Sequence, residues 1–316
     1  VTSGSRVSSE STPYALFSAG FATVDARLDI DGRVELNAGG TALNVARATA
    51  ALGHRSGLVG TIGEDPAGKL IRRVLSEDLM NVAGLTLDPE WRTPVLLQVP
   101  GRGDHAWRFT CPDCGTRLPK FRPSPPEKLS AILRILPPPR VLLFDRVSRF
   151  SLSLAEAWRR QGTFIVFEPA ALGREGLFRR ALGVSHLVKF SSSRASEFRD
   201  ALKLAAVPQI ETMGAAGVRW RMPHSNQWSE QPSFETPHVV DTAGAGDWTT
   251  AGTLAALHRS TPLGQNELSD GSLAEALFEG QRFGAQACTW RGPFAKVDSE
   301  IARATFEDFA CPRVHA

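Results

Sequence analysis

The sequence predicts an α/β fold in which a largely parallel sheet carries helices on both faces. Short apolar runs alternate with amphipathic stretches over most of the chain, and no internal repeat replaces that alternation. One glycine-rich turn, Asp241-Thr242-Ala243-Gly244-Ala245-Gly246-Asp247, runs directly into a helical stretch of small and apolar residues at 248–257. Strands alternating with helices are the mark of βαβ units. In such sheets ligands lie beyond the carboxyl ends of the strands.

Taken in order, the apolar runs at 15–19, 95–99, 141–144, 163–167, 186–189 and 209–212 read as strands. Amphipathic stretches at 42–52, 66–79, 127–136, 152–160 and 194–205 read as the helices between them. Residues 91–126, rich in Arg, Pro and Gly, break the pattern and read as an excursion from the main fold. Pro137-Pro138-Pro139 marks a turn into the next strand. Residues 1–13 are expected to form a flexible tail: they are rich in Ser and Thr and lack the apolar core of a secretory signal. No Met opens the chain, so a processed or trimmed start is expected.

Composition narrows the function classes. With 316 residues, 42% hydrophobic and 22% charged, the chain can bury a sizeable core in one large domain or two ordinary ones. The net charge of +3, without a basic run, argues against a nucleic-acid binder. No apolar stretch approaches the roughly 18 residues that a membrane span needs. Four cysteines in a chain of this length are no disulfide framework, and a reducing cytoplasm is the expected compartment.

The glycine-rich turn carries the chemistry. Two glycines around a small residue leave backbone N–H groups uncovered, and the following helix adds unpaired N–H groups and a positive dipole end. Such a place holds an anion, and a phosphoryl group suits it. Asp247 stands at its mouth, where a carboxylate can take a proton from an attacking hydroxyl; the plainer reading is an acid capping a helix. Two look-alikes are set aside. Gly63 to Lys69 copies the spacing of a P-loop, but Leu70 stands where a Ser or Thr must reach Mg²⁺, and Glu64 and Asp65 repel phosphate. Gly101-Arg102-Gly103-Asp104-His105-Ala106 copies a dinucleotide fingerprint, but Trp107-Arg108-Phe109 follows in place of an apolar helix.

Together with Trp248-Thr249-Thr250-Ala251-Gly252, the turn resembles the C-terminal signature of the ribokinase, or PfkB, carbohydrate kinase family. Gly39-Gly40-Thr41-Ala42-Leu43-Asn44-Val45-Ala46 resembles the N-terminal signature, and Val59 to Gly68 and Glu211 to Gly217 match in the right order. The resemblance implies a ribokinase-like three-layer fold over residues 14–316, with a small β lid from about 25–37 and 95–109. It implies an ATP- and Mg²⁺-dependent kinase for a hydroxyl of a sugar, nucleoside or polyol. Asp247 is then the base, and the N–H groups of Gly244, Ala245 and Gly246 hold the transferred phosphoryl group. Asp25, Gly39, Gly40 and Asn44 bind the acceptor. Lys189, Thr212, Gly214, Gly217 and Cys288 line the nucleotide, as do the small residues up to Thr289. Asp241 helps hold K⁺ beside the anion hole. A homodimer through the lid is a further implication.

The chain departs from the pattern in two places. Ser191 and Arg194 stand where the family commonly carries Asn-x-x-Glu to organise Mg²⁺, and Glu168-Pro169-Ala170-Ala171 replaces an Asp-x-Asn-x-Arg pattern. These departures imply an acceptor unlike those of standard ribokinases and fructokinases. They also support a second reading, a catalytically weak sugar- or nucleotide-binding regulator. Arg102, Arg108, Arg117, Lys120 and Arg122 crowd the excursion and point to an anionic acceptor. Within it, Cys111-Pro112-Asp113-Cys114-Gly115 is half of a zinc knuckle, which needs two more ligands. Cys288 and Cys311 are single and distant in sequence, and His105 is near. The expectation is a loop bordering the acceptor pocket, or a reversible disulfide, rather than structural zinc.

Overall fold

The computed structural model describes residues 13–29, 33–99, 106–223, 225–260 and 268–314. The chain runs through β1 (Leu16–Ala19), β2 (Thr23–Leu28), β3 (Arg33–Gly39), α1 (Thr41–Ala51), β4 (Ser56–Gly63), α2 (Pro66–Glu77), β5 (Leu85–Asp88), β6 (Val95–Val99) and β7 (Ala106–Arg108). It continues with α3 (Leu129–Ile135), β8 (Val141–Phe144), α4 (Arg149–Arg159), β9 (Phe164–Phe167), α5 (Glu175–Val184), β10 (Leu187–Ser191), α6 (Ala195–Lys203) and β11 (Gln209–Thr212). Last come β12 (Val218–Arg221), β13 (Ser229–Gln231), α7 (Ala245–Ser260), α8 (Asp270–Ala287), β14 (Ser299–Ala302) and α9 (Arg303–Ala310). Residues 1–12, most of the expected tail, lie outside the described residues.

Nine strands form the main sheet, in the order β13-β12-β11-β10-β9-β8-β1-β4-β5. Every pairing from β11 to β5 is parallel, and the β11–β12 and β12–β13 pairings are antiparallel. Successive side chains of a strand face opposite sides, and the two cores follow that period. Val141 and Leu143 of β8 pack with residues of α1, α7 and α8. Leu142 and Phe144 pack with Phe150 and Trp158 of α4, Phe178 of α5 and Phe198 of α6. On that face Phe144, Phe167, Phe178 and Phe198 form a chain of ring contacts with centroids 4.8, 5.3 and 5.5 Å apart. The result is three layers, helix on sheet on helix.

A second sheet, β14-β3-β2-β6-β7, occupies the lid segments, with β2 and β6 parallel and the other pairs antiparallel. Its fifth strand, β14, comes from near the C-terminus and has no signal in the sequence reading. The expected strands at 141–144 and 209–212 have the bounds of β8 and β11. The reading missed β4, because three glycines dilute its apolar run, and it missed the short polar strands β12 and β13. The P-loop look-alike is a strand end and a helix cap. Asp65 Oδ1 accepts from the Gly68 N–H at 2.8 Å to cap α2, and its Oδ2 accepts from the Thr93 N–H at 2.8 Å.

A buried arginine ties the second sheet to the main body. Arg47 of α1 donates from Nε to Asp78 at 2.7 Å, from Nη1 to Asp298 at 2.9 Å and to the Ala38 carbonyl at 3.1 Å, and from Nη2 to Asp298 at 3.0 Å. Its guanidinium lies 4.0 Å from the ring centroid of Phe294. Asp298 also accepts the Ala38 N–H at 2.8 Å. One cation thus joins α1, β3, the end of α2 and the segment leading to β14. Breaking a buried pair from one side leaves an uncompensated charge. Asp298→Ala is therefore expected to cost about 3–5 kcal/mol in urea unfolding, and a loss below about 1 kcal/mol would show the pair to be solvated.

Candidate active site

The glycine turn is held in place from three sides. Gly244 has φ +78°, and a Cβ there would lie 2.6 Å from Pro293 Cβ, so only glycine fits. Asp241, buried, accepts the Ala243 N–H at 2.8 Å and the Gly292 N–H at 3.0 Å, locking the turn to the loop after α8. The Trp248 indole donates to the Pro293 carbonyl at 2.8 Å. Behind the turn, α7 and α8 pack closely because Gly280 and Gly284 leave no room for a side chain against Thr253 and Thr249. That explains why the helix is built of small residues.

Asp247 lies in the first turn of α7, half-buried, and accepts from Asn44 Nδ2 at 2.8 Å. Burial first, then the negative charge of Glu168, push its pKa up to about 7; the Asn44 hydrogen bond and Lys189 pull it down, and Asp145 adds to the rise. Lys189, buried at β10, is 2.6 Å from Glu168 Oε1. The other oxygen of Glu168 accepts from the Thr250 hydroxyl at 2.9 Å. Lys189 Nζ also lies 3.8 Å from where a Cβ on Gly246 would stand, so the cation sits against the start of α7. Asp145 follows β8, is held by the Phe21 N–H at 2.8 Å and by Arg146 at 2.7 Å, and has its pKa raised, chiefly by burial.

Asp25, Gly39, Gly40 and Asn44 lie where the second sheet meets α1. A Cβ on Gly39 would overlap Asp25 Oδ2, and a Cβ on Gly40, at φ +96°, would lie 2.5 Å from the Phe21 carbonyl. The two glycines therefore let the backbone close on Asp25 and Phe21. Burial pushes the Asp25 carboxyl up to about 7. Asp25 Oδ1 and Asn44 Oδ1 are both buried without a hydrogen-bond partner. The Arg146 guanidinium stands 4.5 Å from the Phe21 ring centroid and 6.0 Å from that of Phe121.

On the other side of α7's N-terminus a cavity of about 660 Å³ opens. Lys189, Thr212, Gly214, Gly217 and Cys288 all line it, with Ala245 and Gly246. Gly217 has φ +99°, and a side chain there would strike the Gln231 carbonyl. The Cys288 carbonyl accepts the Val240 N–H at 2.8 Å. Ser191 and Arg194 face the same cavity; Ser191 is 2.9 Å from Ser193 Oγ, and Arg194 donates to the Ala170 carbonyl at 3.3 Å.

This arrangement, a glycine-turn helix start with a raised carboxylate between a large cavity and a polar cleft, coincides with a sequence match. The profile of the pfkB family of carbohydrate kinases matches residues 17–299. The chain belongs to that family. An Escherichia coli fructokinase is 30% identical over 305 residues, covering 86% of this chain and 92% of that protein. The aminoimidazole riboside kinase of Salmonella typhimurium is 27% identical, covering 80% of this chain and 82% of that protein. Among solved structures, the Xylella fastidiosa fructokinase with bound ATP is similar in fold, with a TM-score of 0.71, 20% identity, and coverage of 88% and 94% of the two chains. The Vibrio cholerae fructokinase double mutant, bound to fructose, ADP and potassium ion, has a TM-score of 0.70 at 20% identity, with 95% and 99% covered.

Asp145, Arg146 and the pairing role of Glu168 escaped the sequence reading. The available signal was position: Asp145 and Glu168 each follow directly on a buried apolar tetrapeptide, β8 and β9, at the carboxyl end of a parallel strand. The separation of Cys311 from the cysteine pair is corrected. Cys311, at the end of α9, lies with its Sγ 3.5 Å from that of Cys114, and Cys111 joins them. Cys111 and Cys311 are buried in the core with residues of α2 and the second sheet, and none of the three lines the large cavity. Of the cations expected to mark an anionic acceptor, Arg108, Arg117, Lys120 and Arg122 are exposed, and Arg122 covers the Trp91 ring at 4.6 Å. Arg102 lies outside the described residues.

Proposed function

We propose that this chain transfers the γ-phosphoryl group of ATP to a hydroxyl of a neutral sugar or nucleoside bound against Asp25 and Asn44, with Asp247 as the base. The observation that carries the reading is the pair of buried, unpartnered oxygens, Asp25 Oδ1 and Asn44 Oδ1, the second on the side chain that is bonded to Asp247. Unmet buried acceptors cost about 1–3 kcal/mol each. Hydroxyl donors of a polyol relieve that cost. Three carboxyl groups at the cleft, with Arg146 already bound to Asp145, favour a neutral acceptor over the anionic one expected from the arginine-rich excursion.

Phosphoryl transfer through a loose transition state asks for positioning and charge neutralisation more than covalent chemistry. Asn44 orients Asp247 towards the acceptor hydroxyl. The N–H groups of Gly244, Ala245 and Gly246, with the dipole of α7, face the charge that grows on the transferred group. Lys189, Thr212, Gly214, Gly217 and Cys288 form the nucleotide wall. Mg²⁺ bound to ATP neutralises phosphate charge. Glu168 and Glu235 are the carboxylates that line the cavity, and Glu168 would help hold Mg²⁺. K⁺ would sit at the loop that Asp241 organises. The regulator reading rests on Ser191 and Arg194 in place of the usual metal segment; the assembled Asp247–Asn44 pair speaks for catalysis. No described helix is long and apolar enough to cross a membrane, and we place the chain in the cytoplasm on its four free thiols.

Incubation with ATP, Mg²⁺ and a panel of fructose, other sugars, polyols and nucleosides is expected to give acceptor-dependent ADP. Asp247→Asn should keep ATP binding and lower kcat by about 10²–10⁴-fold, the range of a lost general base. Near-normal turnover in that variant would remove Asp247 from its role, and acceptor-independent binding of nucleotide alone would favour the regulator.

The expected homodimer through the lid is part of the same proposal. Its support is that β7 and β14 end the second sheet with one edge each unpaired among the described residues, and open edges invite pairing. Light scattering at micromolar concentration should give twice the chain mass of 34.2 kDa; a single-chain mass would remove the dimer.

A further inference from the structure

Among the described residues, the cysteine trio is a group of ligating side chains placed to hold a metal ion. The ligand atoms of Cys111, Cys114 and Cys311 all lie within 4.8 Å of one another. A tetrahedral zinc with Zn–S bonds of about 2.3 Å holds its sulfurs about 3.7–3.8 Å apart. The Cys114 to Cys311 separation of 3.5 Å is close to that and far beyond the roughly 2.05 Å of a disulfide.

The loop is also folded as a metal knuckle. Gly115, at φ +70°, donates its N–H to the Cys111 carbonyl at 3.0 Å, and the Cys111 N–H donates to the Thr116 carbonyl at 2.8 Å. That turn aims the backbone N–H groups of Asp113 and Cys114 at Cys111 Sγ, and the hydroxyl and N–H of Thr116 at Cys114 Sγ.

We propose that Cys111, Cys114 and Cys311 bind one structural Zn²⁺, releasing their thiol protons, and that the metal staples the loop after β7 to the C-terminal helix α9. The Cys-x-x-Cys spacing of the first two ligands is that of structural zinc sites. The third arrives from 197 residues away in sequence, which is why the pair looked incomplete. A water or one nitrogen or oxygen ligand completes the tetrahedron. Because α9 packs on α2, β3 and β14, the metal would fasten the loop after β7 and α9 to the second sheet.

The test uses the full chain, purified without chelator and dialysed. Elemental analysis should give about one zinc per chain, and a mercurial thiol reagent should release it. Metal-binding free energy becomes folding free energy, so zinc removal by chelator should lower the melting temperature by about 10 °C. Cys114→Ser, at the least buried of the three positions, should purify folded with its zinc content sharply reduced. Co²⁺ added to the chelated wild-type chain should show thiolate-to-metal charge-transfer absorption. A wild-type chain that holds no zinc, gives no such absorption with Co²⁺ and melts unchanged in chelator would overturn the proposal. So would a Cys114–Cys311 disulfide found by mass spectrometry in freshly purified protein.

Discussion

Lys189 bonded to Glu168 at 2.6 Å, against the first turn of α7, sets the charge balance on which the rest of the site depends. Asp145, Glu168 and Asp247 are gathered by three different elements, and burial first, then the repulsion of the other two, raises Asp247. Lys189 and the positive end of α7 offset enough of that repulsion for Asp247 to sit near neutrality rather than remain protonated. A carboxyl poised there can both accept a hydroxyl proton and release it afterwards. Without the lysine, Glu168 would be a buried charge facing Asp247, and the site could not hold further negative charge from a nucleotide.

The cleft at Asp25 and Asn44 depends on a different constraint, the join between the two sheets. Asp25 comes from β2, Gly39 from β3, and Asn44 from α1 one turn later. Their mutual placement rests on Arg47, which lies in that same helix and grips Ala38 and Asp298. The buried ion pair is thus a positioning device for the cleft as well as a structural one. The proposed zinc staple acts on the same sheet, through α9.

Most of the site was legible because its residues need special backbone. Gly39, Gly40, Gly244 and Gly217 answer close approaches or positive φ, and such needs leave glycines at fixed offsets in the sequence. Asn44 and Asp247 were legible through those neighbours. Asp145 and Arg146 were not, because an Asp-Arg pair after an apolar strand looks like any loop until the topology shows that the strand is parallel and ends at the cleft. Cys311 was illegible for a related reason: nothing in its local sequence points 197 residues back to Cys114. Among the elements, strands rich in branched apolar residues announced themselves, as β8 did. β4 hid behind its glycines, and β14 is held by pairing to β3 rather than by its own composition.

The central claim is that Asp247, with its pKa raised to about 7, is the group that must be ionised for phosphoryl transfer. Its direct test is the pH dependence of kcat/KM with the best acceptor at saturating ATP and Mg²⁺. The base works only when deprotonated, so activity should fall as pH drops through about 7, with a slope of one proton. Because Asp25 also titrates near 7, the same limb must persist in Asp25→Asn at its lower activity. A profile flat from about pH 5.5 to 8, or a limb that vanishes with Asp25, would contradict the assignment of Asp247 as the base.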